Sequence, residues 1–208
     1  MKLVPNWLER GFLTATAPIA GLLHRFHVRP NAITSAGALL VVVSALAFAY
    51  GWIRWGGVLL LASGIIDTFD GQVARRGDLV SKFGAFYDST LDRVGDGATF
   101  IGIAVYLLRA PDVGWRIESV TLCMIAVLSS LLVSYARARA EGLGLECKVG
   151  LVQRAERLLA ISVPTILIGA GPRAIVLEVI VAALAFFSTV TVVQRFLYVY
   201  RVTRVERI

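Results

Sequence analysis

The sequence has little charge and little cysteine for a chain of 208 residues. Charged residues make up 17% and hydrophobic residues 57% of the chain, whereas a soluble domain is typically about 25% charged and about 45–50% apolar. The two cysteines, Cys123 in an apolar run and Cys147 in a polar connection, imply no disulfide framework. Glu9, Arg10 and Pro18 interrupt the first apolar stretch, so we expect no cleavable signal peptide. These shortages argue against an ordinary soluble domain and favour a chain that folds in a bilayer.

Long apolar runs recur along the chain, and a helix needs roughly 20 mostly apolar residues to cross the hydrocarbon core. We predict an all-α, polytopic membrane protein with six transmembrane helices, at about residues 31–50, 56–75, 83–108, 118–139, 156–170 and 174–200. The first run has no charge between Arg29 and Arg54, whereas the second and third carry aspartates, which are costly in lipid and usually indicate a functional interior. We expect one domain over residues 1–208, with the six-helix bundle at 28–208.

The segment 1–27 is predicted to be an amphipathic helix that lies in the membrane interface. It places apolar side chains next to the charge of Arg10, a pattern typical of interfacial helices. The apolar residues of this pattern are Leu3, Trp7, Leu8, Phe12 and Leu13.

The net charge of +7 raises the question of a nucleic-acid partner. The basic residues lie between apolar runs, which fits membrane topology and anionic headgroups better, so we expect membrane lipids as partners and no nucleic acid. Six spans place both termini on one side, and sixteen of the 21 Lys and Arg residues fall on that side. By the positive-inside rule that side is cytoplasmic. We therefore predict a multi-pass protein of the cytoplasmic (plasma) membrane, with both termini and the candidate site facing the cytoplasm.

Four aspartates lie near the cytoplasmic ends of the second and third predicted spans. Asp67 and Asp70 are three residues apart and Asp88 and Asp92 are four apart, so each pair lies on one face of its helix. The short connection predicts that these two helices are antiparallel neighbours whose aspartates face each other. Four carboxylates near lipid cannot all remain ionised without compensation. Hard divalent cations such as Mg²⁺ or Mn²⁺ prefer oxygen ligands and can bridge a diphosphate, so we predict a metal site for phosphoryl transfer.

The aspartates belong to a longer pattern, D-x₂-D-G-x₂-A-R-x₈-G-x₃-D-x₃-D, which covers residues 67–92. It resembles, without departure, the signature of the CDP-alcohol phosphotransferase (phosphatidyltransferase) family. The resemblance implies that Asp67, Asp70 and Asp88, with help from Asp92, hold two ions of Mg²⁺ or Mn²⁺. It also implies that Asp92 is the catalytic general base on the acceptor hydroxyl. The residues expected at the cytidine nucleotide are Asp67, Asp70, Gly71, Ala74, Arg75, Ser81, Gly84 and Asn31; Asn31 also fits an ordinary helix start.

A second, basic cluster lies at the cytoplasmic ends of the fourth to sixth spans. We predict that Arg137, Arg154 and Arg195 converge on a phosphate of the acceptor, since guanidinium groups can hold phosphate with two hydrogen bonds. The surrounding segments are similar to the phosphatidylinositol-phosphate synthase branch of the family. Arg137 stands where that branch usually has lysine, and Gln153 where it commonly has glutamate.

Positive-inside topology and compensation of helix C-terminal charge are the alternative interpretation of these arginines. The remaining basic residues of this region we assign to lipid headgroups or the surface; they are Arg139, Arg157 and the arginines at 201–207.

The resemblance implies an enzyme that transfers the phosphatidyl group of CDP-diacylglycerol, or of a CDP-linked ether lipid, to myo-inositol phosphate. Glycerol 3-phosphate is the alternative acceptor, although the context Asp88-Ser-Thr-Leu-Asp92-Arg93 differs from the pattern typical of glycerophosphate-type members. A membrane ion or metal transporter is the alternative from another class, but we find no inverted repeat or interrupted helix pair that would favour it. The resemblance also suggests a homodimer.

Overall fold

The structure is a computed structural model that describes residues 6–205 of the chain. Within this range all regular structure is helical, which confirms the predicted all-α class for the described part. The helices are α1 (Asn6–Arg25), α2 (Pro30–Ala49), α3 (Ile53–Arg76), α4 (Lys82–Arg109), α5 (Arg116–Glu141), α6 (Arg154–Leu167) and α7 (Ile175–Val205), and a short 3-10 helix (Pro172–Ala174) precedes α7.

Four segments of the described chain are long and apolar enough to cross a membrane. They comprise α2, α3, α5 and the segment Pro172–Arg204, which contains α7. The helix α4 has 28 residues but carries the charges of Asp88, Asp92, Arg93 and Asp96, and α6 has only 14 residues. The six-span count therefore stays a prediction.

Local sequence explains where the helices nearest the candidate site begin. Pro30 occupies the first turn of α2, after an extended Arg29, where its missing N–H costs nothing. The Ser81 hydroxyl accepts a hydrogen bond from the Gly84 N–H at 3.0 Å and caps α4. The Glu156 side chain accepts from the Gln153 N–H at 2.8 Å and caps α6. The first turns of these three helices are thus fixed by hydrogen bonds or by proline.

Close helix contacts place α2 against both α3 and α4, α6 against α3, and α5 against both α4 and α7. A Cβ on Gly102 would lie 2.2 Å from the Ala45 carbonyl oxygen, so only glycine permits this approach of α4 to α2. A Cβ on Gly57 would lie 2.3 Å from the Thr165 hydroxyl, so glycine also permits the approach of α6 to α3. The main core lies among these helices; its largest buried members include Phe48, Phe100, Ile103, Leu107 and Leu177.

The outer surface of the bundle is apolar, whereas many hydroxyl groups are buried between the helices. Large side chains such as Leu39, Met124 and Phe196 are more than 60% exposed. The buried hydroxyl side chains include Ser44, Ser63, Thr99, Ser130, Ser162, Thr165, Ser188 and Thr191. Small polar residues between helices and apolar side chains outside are characteristic of a protein whose solvent is lipid. The protein is therefore a helical membrane protein.

The helix α1 packs against α3. Ala20 is fully buried in this contact, and Gln72 Nε2 of α3 donates a hydrogen bond to Thr16 Oγ1 at 3.0 Å. The apolar face predicted for residues 1–27 falls mostly outside the described residues or side chains, which is true of Leu3, Trp7, Leu8 and Phe12. Helix is thus present over Asn6–Arg25, and the interfacial position stays a prediction.

Candidate active site

The four aspartates lie on α3 and α4, which are joined by residues 77–81. Asp67 and Asp70 lie in the last turns of α3, and Asp88 and Asp92 lie in the first half of α4. Each of the two helices packs against α2, and their carboxylates face each other. The expected juxtaposition of the aspartates therefore occurs, and the antiparallel arrangement of the two helices stays a prediction.

Asp67, Asp70 and Asp88 form a three-carboxylate group in which one oxygen of each residue lies within 4.8 Å of the others. Thr34 Oγ1 of α2 donates a hydrogen bond to Asp70 Oδ2 at 2.6 Å, which fixes that carboxylate from the side. Asp88 Oδ1 is buried and has no hydrogen-bond partner. A buried acceptor without a partner is costly, and three like charges at this spacing repel one another. The group therefore fits a hard divalent cation, which oxygen ligands bind best.

Asp92 lies beside this group but has different partners. Its Oδ1 is 2.8 Å from Arg154 Nη2, and its Oδ2 is 3.3 Å from Arg93 Nη2. Arg154 also pairs with Asp67 through Nη1. The guanidinium of Arg154, from α6, thus connects Asp92 to the edge of the three-carboxylate group. The structure brings all four predicted aspartates into one region, with Asp92 at the arginine side of it.

The residues predicted to border a nucleotide fall into two small groups. Ser81 and Gly84 meet at the start of α4, and a Cβ on Gly84 would lie 3.5 Å from Asn31 Oδ1, so Asn31 belongs to this group. On α3, the guanidinium of the exposed Arg75 lies over Gly71, where a Cβ would be 3.2 Å from Arg75 Nη1. Ala74 is half-buried on the same helix. Apart from Asn31, the residues of both groups lie between Asp70 and Asp88 in the chain.

The three arginines predicted to share one phosphate have three different surroundings. Arg154 pairs with carboxylates of the site. Arg137 is exposed and pairs with Glu141 at 2.8 Å, one turn along α5. Arg195 is buried; its Nε donates to the Val149 carbonyl at 2.9 Å and its Nη1 donates to the carbonyl of Val133. Arg154 is therefore the arginine that directly joins the aspartates.

The assignment of Arg157 to headgroups or the surface is wrong. Arg157 is only 3% exposed, and its Nη2 lies 2.5 Å from Asp96 Oδ2, which also accepts a hydrogen bond from Ser130 Oγ at 3.1 Å. Two sequence signals indicated this pair. Asp96 is an acid inside a predicted span and needs a partner, and Arg157 follows Arg154 by three residues on the same helical face. Thr34 carried no comparable signal, because a threonine in a helix usually bonds its own backbone.

Comparison with known proteins agrees with this geometry. Residues 27–194 match the family described as CDP-alcohol phosphatidyltransferase. The chain is 38% identical over 199 residues to the phosphatidylinositol phosphate synthase of Cutibacterium acnes, covering 92% of this chain and 95% of that protein. It is 39% identical over 169 residues to the archaetidylinositol phosphate synthase of Methanothermobacter thermautotrophicus, covering 81% of this chain and 82% of that protein.

Crystal structures of the Mycobacterium tuberculosis phosphatidylinositol phosphate synthase share the fold at 32% identity. With CDP-DAG bound, that structure has a TM-score of 0.77 and the match covers 87% of this chain and 91% of that one. In complex with manganese and citrate, the TM-score is 0.79 and the match covers 89% and 88%. The family match covers most of the chain and includes every aspartate of the site. The chain belongs to the CDP-alcohol phosphatidyltransferase family.

Proposed function

We propose that this membrane transferase moves the phosphatidyl group of CDP-diacylglycerol to a hydroxyl of myo-inositol phosphate and releases CMP. The observation that carries the proposal is the three-carboxylate group, formed by the family motif in a chain 38% identical to a named phosphatidylinositol phosphate synthase. A relative crystallised with CDP-DAG supports the donor, and the names of two relatives support an inositol phosphate acceptor. The archaeal relative leaves a CDP-linked ether lipid as an alternative donor.

Asp67, Asp70 and Asp88, with Asp92 beside them, are the proposed ligands of two divalent ions. Their oxygen-only donor set and the unpartnered Asp88 Oδ1 fit Mg²⁺ or Mn²⁺, and the M. tuberculosis relative binds manganese. When bound, such ions neutralise charge on a diphosphate and on the departing phosphate. In the chain itself, Thr34 holds the Asp70 carboxylate in place by its hydrogen bond of 2.6 Å.

Asp92 is the proposed general base. It takes the proton of the acceptor hydroxyl while the hydroxyl oxygen attacks the phosphorus attached to the lipid, and the bond from that phosphorus to the CMP oxygen breaks. Arg154 contacts Asp92 at 2.8 Å, so an acceptor whose phosphate binds Arg154 has its hydroxyl close to the base. Arg137 and Arg195 are the proposed flanking positive charges of the acceptor site.

The cytidine nucleotide is proposed to lie along two groups of residues, one at the start of α4 and one at the end of α3. Asn31, Ser81 and Gly84 border it at the start of α4, while Gly71, Ala74 and Arg75 border it at the end of α3, next to Asp67 and Asp70. The meeting of Asn31 with Gly84 and of Arg75 with Gly71 supports these two borders. Small residues at these positions let a diphosphate approach the backbone.

The fold is proposed to be one domain over residues 1–208, with six spans and an interfacial α1. The packing of α4 between α2 and α5, and of α6 against α3, supports spans at both helices. The positive-inside rule supports both termini and the site on the cytoplasmic side. A homodimer is part of the proposal on the family resemblance, and the exposed apolar side chains offer faces for it.

Release of CMP by the purified protein tests the function. The protein is given CDP-diacylglycerol with Mg²⁺ or Mn²⁺, and inositol 1-phosphate, glycerol 3-phosphate, free inositol and serine are offered one at a time. We expect metal-dependent release only with inositol phosphate, and background release with the Asp92→Asn variant. Release with glycerol 3-phosphate alone would be consistent with the aspartate mechanism but would refute inositol phosphate as the acceptor. Release with none of the four would overturn the proposed donor–acceptor pair.

A further inference from the structure

Two arginines on one face of α6, the partly exposed Arg154 and the buried Arg157, pair with different carboxylates. Arg154 pairs with Asp67 and Asp92, which lie at the proposed catalytic centre. Arg157, one turn further along α6, pairs with Asp96, one turn further along α4. The two ion pairs therefore form successive layers between α4 and α6, with the Arg157–Asp96 layer deeper in the bundle.

The arginine of the deeper layer is almost fully buried. Arg157 is 3% exposed and the Asp96 side chain is 14% exposed. Ser130 Oγ of α5 donates a second hydrogen bond to the same Asp96 oxygen. Arg157 is thus less accessible than Arg154, whose side chain is 26% exposed, so we assign direct contact with a substrate phosphate to Arg154.

Arg154 is a second cation near Asp96, because it lies one turn from Arg157 on α6. Arg154, Asp96 and Arg157 line the same cavity, whose volume is about 20 Å³. A buried carboxylate without a cationic partner is costly, so an unpaired Asp96 would attract the nearest guanidinium.

We infer that Arg157 is a positioning residue, which neutralises Asp96 and so leaves Arg154 free to serve Asp92 and the phosphate of the acceptor. The inference rests on the proposed acceptor role of Arg154. It predicts different effects for the loss of Arg157 and for the loss of the Asp96 charge. Loss of Arg157 leaves a carboxylate that draws Arg154 away from the site, whereas loss of the Asp96 charge leaves no competitor for Arg154.

The test compares Arg157→Met, Asp96→Asn and the double variant, with Arg139→Met as the matched control at an exposed arginine. Two readouts are taken: the KM values for inositol 1-phosphate and for CDP-diacylglycerol, and calorimetric binding of inositol 1-phosphate without the CDP-lipid. We expect Arg157→Met to raise the acceptor KM and Kd at least tenfold and to change the CDP-lipid KM less than twofold. Asp96→Asn should change the KM and Kd for inositol 1-phosphate less than twofold. The double variant should restore both constants to within about threefold of the parent.

A purely structural ion pair would behave differently. Both single variants would then lower Tm and change the acceptor values to a similar extent, and the double variant would not recover; that result would overturn the inference. Arg154→Met separates this failure from failure of the proposed function. If Arg154→Met raises the acceptor KM and Arg157→Met does not, only the positioning role falls. If Arg154→Met leaves the acceptor KM unchanged, the acceptor role of Arg154 and the inference fall together.

Discussion

Arg154 on α6 and Arg195 on α7 carry the same guanidinium group in two different surroundings. Arg154 is partly exposed and its partners are the carboxylates of Asp67 and Asp92. Arg195 is buried and donates to the backbone carbonyls of Val149 and Val133. An arginine that faces carboxylates beside an open site can exchange a partner for a phosphate. An arginine that donates to buried carbonyls loses those hydrogen bonds if it turns towards a ligand. We therefore expect Arg154 to contact the acceptor phosphate directly and Arg195 to contribute its positive charge from beside the site.

The largest effect is expected at the carboxylate that Arg154 contacts at 2.8 Å. Asp92→Asn keeps the size and a hydrogen-bond acceptor but removes the basic oxygen, and a general base typically contributes about 10²–10⁴-fold to a rate. We expect kcat for CMP release to fall by about that factor, while binding of Mn²⁺ and CDP-diacylglycerol stays within a few fold. Robust turnover by this variant would refute the base assignment.

Arg154→Met is expected to weaken binding of the acceptor. Hydrogen bonds to charged groups contribute about 1.5–3 kcal/mol each, which corresponds to roughly 10–150-fold in an equilibrium constant. The KM for inositol 1-phosphate should rise within that range, and the KM for CDP-diacylglycerol should change little. Equal changes in both constants would place Arg154 at the nucleotide instead, so both substrates are titrated in the same preparation.

Arg195→Met is expected to lower thermal stability more than it lowers activity. Its loss removes the side-chain donor from the carbonyls of Val133 and Val149. Val133 lies within α5 and keeps its helical hydrogen bond, so the main cost falls on Val149, at about 1–3 kcal/mol for an unsatisfied group. We expect Tm in detergent to fall by several degrees, since roughly 2–4 °C corresponds to 1 kcal/mol in a chain of this size. Arg195→Lys, which can still reach one carbonyl, should recover part of the loss. An unchanged Tm with a strongly raised KM for inositol 1-phosphate would mean that Arg195, like Arg154, contacts the acceptor directly.

Helical spacing and the cost of charge in lipid were enough to predict the aspartate cluster from the sequence. The pairs Asp67/Asp70 and Asp88/Asp92 lie on helical faces that meet, and the start and end of each major helix differ from the prediction by only a few residues. The motif spacing alone could not indicate that α2 packs against both α3 and α4, because helix packing in a bundle depends on contacts such as Gly102 with Ala45. It also could not separate Arg154 from Arg195, since the acceptors of Arg195 are backbone carbonyls that any residue provides.

Arg137→Ala should have the smallest effect of the three arginines. Its guanidinium is exposed and pairs with Glu141 four residues along the same helix, and such surface pairs contribute about 0.3–0.5 kcal/mol. We expect Tm to change by about 2 °C or less, and the acceptor KM to rise by no more than about threefold at low salt. The increase should shrink at high salt, because a flanking charge at the surface is screened over about 10 Å at 0.1 M. Glu141→Gln removes the same ion pair and keeps the arginine, so it serves as the matched control. A rise in acceptor KM as large as that of Arg154→Met and insensitive to salt would mean that Arg137 leaves Glu141 and binds the phosphate directly. The ion-pair partner of an arginine would then not predict whether it binds the acceptor.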